Sequence, residues 1–193
     1  MNREKILSVR DLTISFDITN GNFEAIDRLK FDIYEGETVA IVGESGSGKS
    51  VTAKAIMGII TSNEHIDAGK IEFTYNTGDS KKTVDIAKMS ERQIRNDICG
   101  KHIAMVFQDP MTSLNPTVTV GKQIMEGMRE HYDISKTEAK EKAIKLLDEV
   151  GIDNPVRIFF LPGLSEYPMI GHTYQQLRLK IIDSFHKTGV MDT

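Results

Sequence analysis

Apolar and polar residues alternate from Ile6 to Phe16, with Leu7, Val9, Leu12, Ile14 and Phe16 on the apolar side and a break at Arg10-Asp11. The alternation predicts a strand covered on one face. Thr19-Asn20-Gly21-Asn22 is a turn signal, and a returning strand through Ala25 to Ile33, with Leu29, Phe31 and Ile33 on one face, would complete a hairpin. After Glu35-Gly36-Glu37, the run Thr38 to Val42 (TVAIV) is almost wholly apolar, the pattern of a short parallel strand buried on both faces.

Helical spacing begins after Lys49, where Val51, Ala55, Ile56 and Ile59 recur, with Thr61-Ser62-Asn63 as the expected stop. Gly69 to Tyr75 and Thr83 to Ile86 predict short strands, Ser90-Glu91-Arg92-Gln93 opens a short helix, and Ile103 to Phe107 (IAMVF) predicts a second buried strand. Two helices follow, over Val120 to Tyr132 and Lys136 to Val150. The second carries Ala139, Ala143, Leu146, Leu147 and Val150 on one face, behind the capping box Ser135-Lys136-Thr137-Glu138. Beyond Asn154-Pro155 the periodicity weakens, and only Tyr174 to Phe185 could form another helix or strand.

The 193 residues suffice for one domain with a hydrophobic core, or for one domain and a small attached subdomain. With 39% hydrophobic and 27% charged residues the chain reads as globular. A formal net charge of −4 leaves no basic excess for a nucleic-acid backbone, so nucleic acid is not an expected partner. Cys99 is the only cysteine, which excludes an internal disulfide. No transmembrane run and no signal-peptide core is legible, and the expected location is cytoplasmic. The histidines at 65, 102, 131, 172 and 186 lack the spacing of a metal site and read as scattered surface or loop residues.

The chemistry is concentrated at Gly43-Glu44-Ser45-Gly46-Ser47-Gly48-Lys49-Ser50, a full match to G-x-x-x-x-G-K-[ST] between a predicted strand and a predicted helix. Glycines let backbone N–H groups turn inward, and the helix N-terminus adds positive potential, so the loop is read as a phosphate cradle. Lys49 is expected to reach the β- and γ-phosphates of ATP, and the Ser50 hydroxyl to ligate Mg²⁺. Glu44, Ser45 and Ser47 fill variable motif positions and are expected to act through backbone amides. A glycine-rich turn without a ligand is the plain structural alternative.

Downstream, IAMVFQDPMTSLNP from Ile103 to Pro116 places Gln108 at the end of a strand and before a loop broken by Pro110 and Pro116. This segment resembles the Q-loop of ABC-transporter ATPases, and both its wording and that of GESGSGKSVTAKAIMG, which runs through the P-loop into its helix, resemble the oligopeptide, dipeptide and nickel importer branch. The resemblance runs from about Leu7 to Pro155. It implies an α/β fold: an incomplete P-loop NTPase core, an antiparallel β-subdomain and part of a helical subdomain. It further implies that Gln108 contacts the metal and the attacking water, and that Phe16 stacks on adenine, although an apolar hairpin face explains a Phe there as well. The implied partners are two membrane permease subunits, a second ATP-binding subunit and a substrate-binding protein, with the chain peripheral at the cytoplasmic face of the membrane.

Past Pro155 the resemblance fails. No Ser-Gly-Gly occurs for an LSGGQ-like signature, and Leu179 to Asp183 (LKIID) ends in Ser184 where the family places its catalytic Glu. The expected organisation is a partial ATP-binding domain over 1–157 and a divergent, poorly ordered tail over 158–193, as in a truncated or frame-disrupted product. Two functions stay open: an ATP-binding subunit that powers peptide import, or a catalytically inactive nucleotide-binding fragment of such a complex. A small-molecule P-loop kinase is disfavoured, because FQDPMTSLNP has no use there.

Overall fold

The computed structural model describes residues 3–78, 80–106 and 114–162, and the chain divides into two compact units at Asp97/Ile98. In the first unit the predicted hairpin forms from β1 (Lys5–Ile18) and β2 (Gly21–Tyr34). β3 (Glu64–Thr77) pairs with the other edge of β1, and β4 (Ser80–Asp85) with β3, giving an antiparallel sheet of order β2-β1-β3-β4. Helix α1 (Lys49–Ile56) lies between β2 and β3 in sequence. A 3₁₀ turn at Ile86–Lys88 and one helical turn, α2 (Glu91–Gln93), follow the sheet. Ser90 and Gln93 close a capping box around α2.

The break at Arg10-Asp11 has a structural cause. Fully buried Val9 sits on an odd position of β1, whereas Leu12 and Ile14, also fully buried, sit on even ones. A strand has period two, so one extra residue is needed to keep both groups on the same face. The pairing supplies it: Val9 faces Phe31 and Leu12 faces Leu29, so Arg10 and Asp11 together oppose Lys30. Asp11 takes φ 48° and Arg28 φ 46°, and on the other side Gly69 takes φ 99°, so all three strands change phase at one level. The buried apolar residues of this unit include Leu7, Val9, Leu12, Ile14, Ile71 and Phe73 in the sheet, and Ala55 and Met57 at the end of α1.

In the second unit α3 (Val120–His131), α4 (Lys136–Glu149) and α5 (Pro155–Phe160) pack around one cluster. Val120, Ile124 and Met128 of α3 meet Ala139, Ala143 and Leu147 of α4, as the heptad-like spacing requires. The Ser135–Glu138 capping box forms as read from the sequence.

Four expectations are corrected. Thr38 to Val42 forms no strand: Val39, Ile41 and Val42 are 41%, 48% and 90% exposed, and no described strand flanks them. Ile103 makes a single bridge to Cys99, residues 104–106 carry no regular structure, and Phe107 lies outside the described residues. In both runs a strand has no ladder to join, and without paired N–H and C=O groups apolar sequence alone does not make one. Helix α1 ends at Ile56, three residues before Ile59, because Gly58 at φ 63° turns the chain out. Finally, α5 runs across the expected 157/158 boundary and buries Phe159 to 5% exposure. The ring fills the space a side chain at position 121 would occupy. The rest of the predicted tail, from 163 on, lies outside the described residues.

Candidate functional site

The loop Gly43–Gly48 is exposed until Gly48, where it enters α1. Gly48 is the N-cap, with φ 84° and ψ −1°, a left-handed conformation that only glycine adopts without strain. The lack of a side chain matters twice there. A Cβ at Gly48 would meet Cδ1 of Ile26 at 2.3 Å and the Ala25 carbonyl oxygen at 3.2 Å, so β2 is the floor under the loop. The Gly48 carbonyl then accepts from the Thr52 amide (2.8 Å) and the Thr52 hydroxyl (3.0 Å), which fixes the first turn of α1 from inside the protein.

Lys49 folds back over the loop. Its ammonium donates to the carbonyls of Gly43 (2.8 Å) and Glu44 (2.6 Å) and to Oγ of Ser47 (3.2 Å). The Ser47 amide donates to the Glu44 carbonyl at 3.2 Å. A Cβ on Gly43 would lie 2.6 Å from Ser47 Oγ, so glycine at 43 is what admits that hydroxyl. Among the described residues the amides of Gly46, Gly48, Lys49 and Ser50 find no acceptor, and α1 has no acidic residue in its first turn. Gly46 opens onto free space, and Ser45 and Ser50 are exposed. Unpaired amides at the positive end of a helix, a lysine alongside and no competing carboxylate in the helix's first turn together suit an anion of phosphate type.

Phe16 lies at the same end of the sheet. It is two residues beyond Ile14, whose β2 partner Ile26 touches the Gly48 position, so strand geometry sets it about 7 Å further along β1. It is half-buried, opposite Phe23 on β2 and Glu64 on β3. Next to it the Asp17 carboxylate bonds Nε2 of His65 at 2.9 Å and raises the His65 pKa above the ordinary value. The structure therefore brings Phe16 and the whole loop Gly43–Ser50 into one unit. Gln108 falls outside the described residues.

Two supporting residues were not singled out by sequence reasoning. Thr52 is 3% exposed, and its role was signalled only by its place one turn after Gly48. Ile26 gave no local signal, since the approach of β2 to the loop is a tertiary contact.

Three comparisons bear on this arrangement. The profile of the family described as ABC transporter matches residues 26–165. The oligopeptide transport ATP-binding protein OppD of Bacillus subtilis (strain 168) is 47% identical over 152 residues, covering 78% of this chain and 40% of that protein. The dipeptide transport ATP-binding protein DppD of Escherichia coli (strain K12) is 44% identical over 171 residues, covering 86% of this chain and 50% of that protein. The chain thus spans about half, or less, of the length of the curated relatives it matches. Among solved structures, a dimeric post-hydrolysis state of the ATP-binding cassette MJ0796 bound to ADP and Pi aligns with a TM-score of 0.65 at 16% identity. That alignment covers 96% of this chain and 85% of that one, and at such identity it bears on the fold.

Proposed function

The chain belongs to the ABC transporter family, and on that premise we propose that it is the ATP-binding part of a peptide importer. The observation that carries this reading is the loop Gly43–Ser50, with its unpaired amides gathered beside Lys49 at the start of α1. The named activities of OppD and DppD, oligopeptide and dipeptide transport, supply the substrate class.

Phosphates of ATP would be held by the amides of Gly46, Gly48, Lys49 and Ser50, with Lys49 as the cation facing the β- and γ-phosphates. Gly46 and Gly48, at φ 83° and 84°, keep the loop in its bend, Gly43 leaves room for the Ser47 hydroxyl, and Glu44, Ser45 and Ser47 contribute backbone groups. Ser50 offers an exposed hydroxyl, a hard oxygen suited to Mg²⁺, which when bound neutralises phosphate charge. Phe16 is the stacking face for adenine. Gln108 is assigned to the metal and the attacking water, and its loop to coupling with the membrane. The partners of such a subunit are membrane permeases, a second ATP-binding subunit and a substrate-binding protein, and its place is peripheral, at the cytoplasmic face of the membrane. No described helix is long and apolar enough to cross a membrane.

Titration of the purified chain with a fluorescent ATP analogue and Mg²⁺ tests the reading. Lys49→Ala is expected to remove most of the affinity, because it deletes the loop's cation. Equal affinity in the variant and the parent would take Lys49, and with it the proposed site, out of nucleotide binding.

A further inference from the structure

Lys49 has three ammonium protons, and three acceptors already surround it: the carbonyls of Gly43 and Glu44 and the hydroxyl of Ser47. Any phosphate that takes the lysine must compete with all three. Two of the acceptors are backbone and are common to every sequence that can make this bend. The third is a side chain at a position the G-x-x-x-x-G-K-[ST] pattern leaves free.

We infer that Ser47 is a restraining residue that sets how readily Lys49 is given up to a phosphate, in addition to whatever its amide does. The inference rests on the nucleotide-binding reading above and deepens it. Three features support it. Ser47 Oγ lies 3.2 Å from the Lys49 ammonium. That hydroxyl can sit there only because Gly43 has no Cβ, which would stand 2.6 Å away. And the Ser47 amide is tied to the Glu44 carbonyl, the same oxygen that accepts from Lys49 at 2.6 Å, so the serine backbone cannot drift off and release the contact by itself. Gly43, Ser47 and Lys49 therefore close a small ring of contacts, and Ser47 is its one replaceable side chain. A conformation that must be left before a ligand binds lowers the apparent affinity by the fraction of competent molecules. Removing one hydrogen bond to a charged group from an exposed ring raises that fraction by about three- to tenfold.

The test uses the full chain with a fluorescent ATP analogue and Mg²⁺. Ser47→Ala is expected to bind about three- to tenfold more tightly than the parent. Ser47→Cys, similar in shape but a weaker acceptor, should fall between them. Ser62→Ala, at an exposed position outside the loop and without a bond to Lys49, should match the parent. A second readout does not need nucleotide: the Lys49 side-chain ammonium resonance of ¹⁵N-labelled protein should exchange faster with water in Ser47→Ala. Unchanged or weaker binding by Ser47→Ala, in a parent whose binding depends on Lys49, would overturn the inference and leave the nucleotide-binding reading standing. A parent whose binding does not depend on Lys49 would instead overturn that reading, and the ammonium resonance would still show whether Ser47 restrains the lysine.

Discussion

A Cβ built on Gly69 would stand 2.6 Å from the carbonyl oxygen of Asp11. The same atom would meet the Arg10 carbonyl oxygen and Cα of Leu12 at 2.6 Å, all three being backbone of the β1 bulge. Backbone cannot swing aside as a flexible side chain can, and φ 99° is itself a conformation that L side chains resist. Gly69→Ala should therefore cost at least about 2 kcal/mol, a fall of roughly 8 °C or more for a unit of this size. Thermal melting of the parent and variant measures it. Gly78→Ala, where an added Cβ meets nothing within 4 Å, controls for the positive φ they share. A loss at Gly69 no larger than at Gly78 would mean that the bulge does not constrain β3.

A second prediction follows from the charges that tie β1 to β2. Nη2 of Arg10 donates to both oxygens of Asp32 at 2.6 Å, and the Lys5 ammonium lies 3.0 Å from Oδ2. These contacts, the Arg10 hydrogen bond first, draw the Asp32 pKa down to about 2. An unfolded Asp titrates near ~3.9. The native state thus binds fewer protons, so the stabilisation is complete above the unfolded value and is lost as the pH falls through about 2. Melting temperatures of the parent and Asp32→Asn should differ most at pH 5 and above, and converge toward pH 2. A difference that stays constant down to pH 2 would show that the ion pair contributes nothing.

How far the sequence revealed these features depended on what sets them. The hairpin, the two capping boxes and helices α3 and α4 rest on local signals: the turn at Thr19-Asn20, the serines at 90 and 135, and apolar spacing. The phase change between Val9 and Leu12 was visible as a break at Arg10-Asp11, but its matching changes at Arg28 and Gly69 belong to strand pairing. The loop Gly43–Ser50 was legible as a motif because it is written in eight consecutive residues. The contact of Ile26 with Gly48 and the bond from Lys49 to Ser47 were not, since the first is tertiary and the second depends on where a flexible side chain folds. Thr38 to Val42 misled for a related reason: apolar composition says what a strand needs around it, and does not supply its neighbours.

Phe159 supplies a third prediction, for the helical unit. It is 5% exposed and packs among Val120, Ile124 and the residues of α4, while the adjacent Phe160 is 57% exposed beneath the Lys140 ammonium. Phe159→Ala should destabilise by about 3–5 kcal/mol through lost burial and the cavity it leaves. Phe160→Ala should cost less than about 1 kcal/mol, its exposed ring losing one cation–π contact. Urea unfolding of the two variants would separate them. Equal losses would mean that α5 does not close the α3–α4 cluster.

The last prediction concerns Thr38 to Val42. Val39, Ile41 and Val42 face solvent to different degrees, and Val42, at 90%, touches almost nothing. The five residues carry no charge, no proline and no glycine, and three of them are β-branched beyond Thr38 itself. Their N–H and C=O groups have no described strand to pair with. A short, uncharged, β-prone segment with open backbone groups is a template for pairing between molecules. A charge placed inside it should break that pairing without touching the core, because the side chain it replaces is not buried. Val42→Lys should therefore leave the melting temperature unchanged, within about 0.5 kcal/mol, yet delay and weaken light scattering in a concentration series. Val9→Lys, at a fully buried position of β1, is the opposite case and should unfold the sheet. Should Val42→Lys scatter as much as the parent, association would have to run through another surface, and the exposed apolar pair Ile18 and Phe23 at the hairpin end would be the next to test.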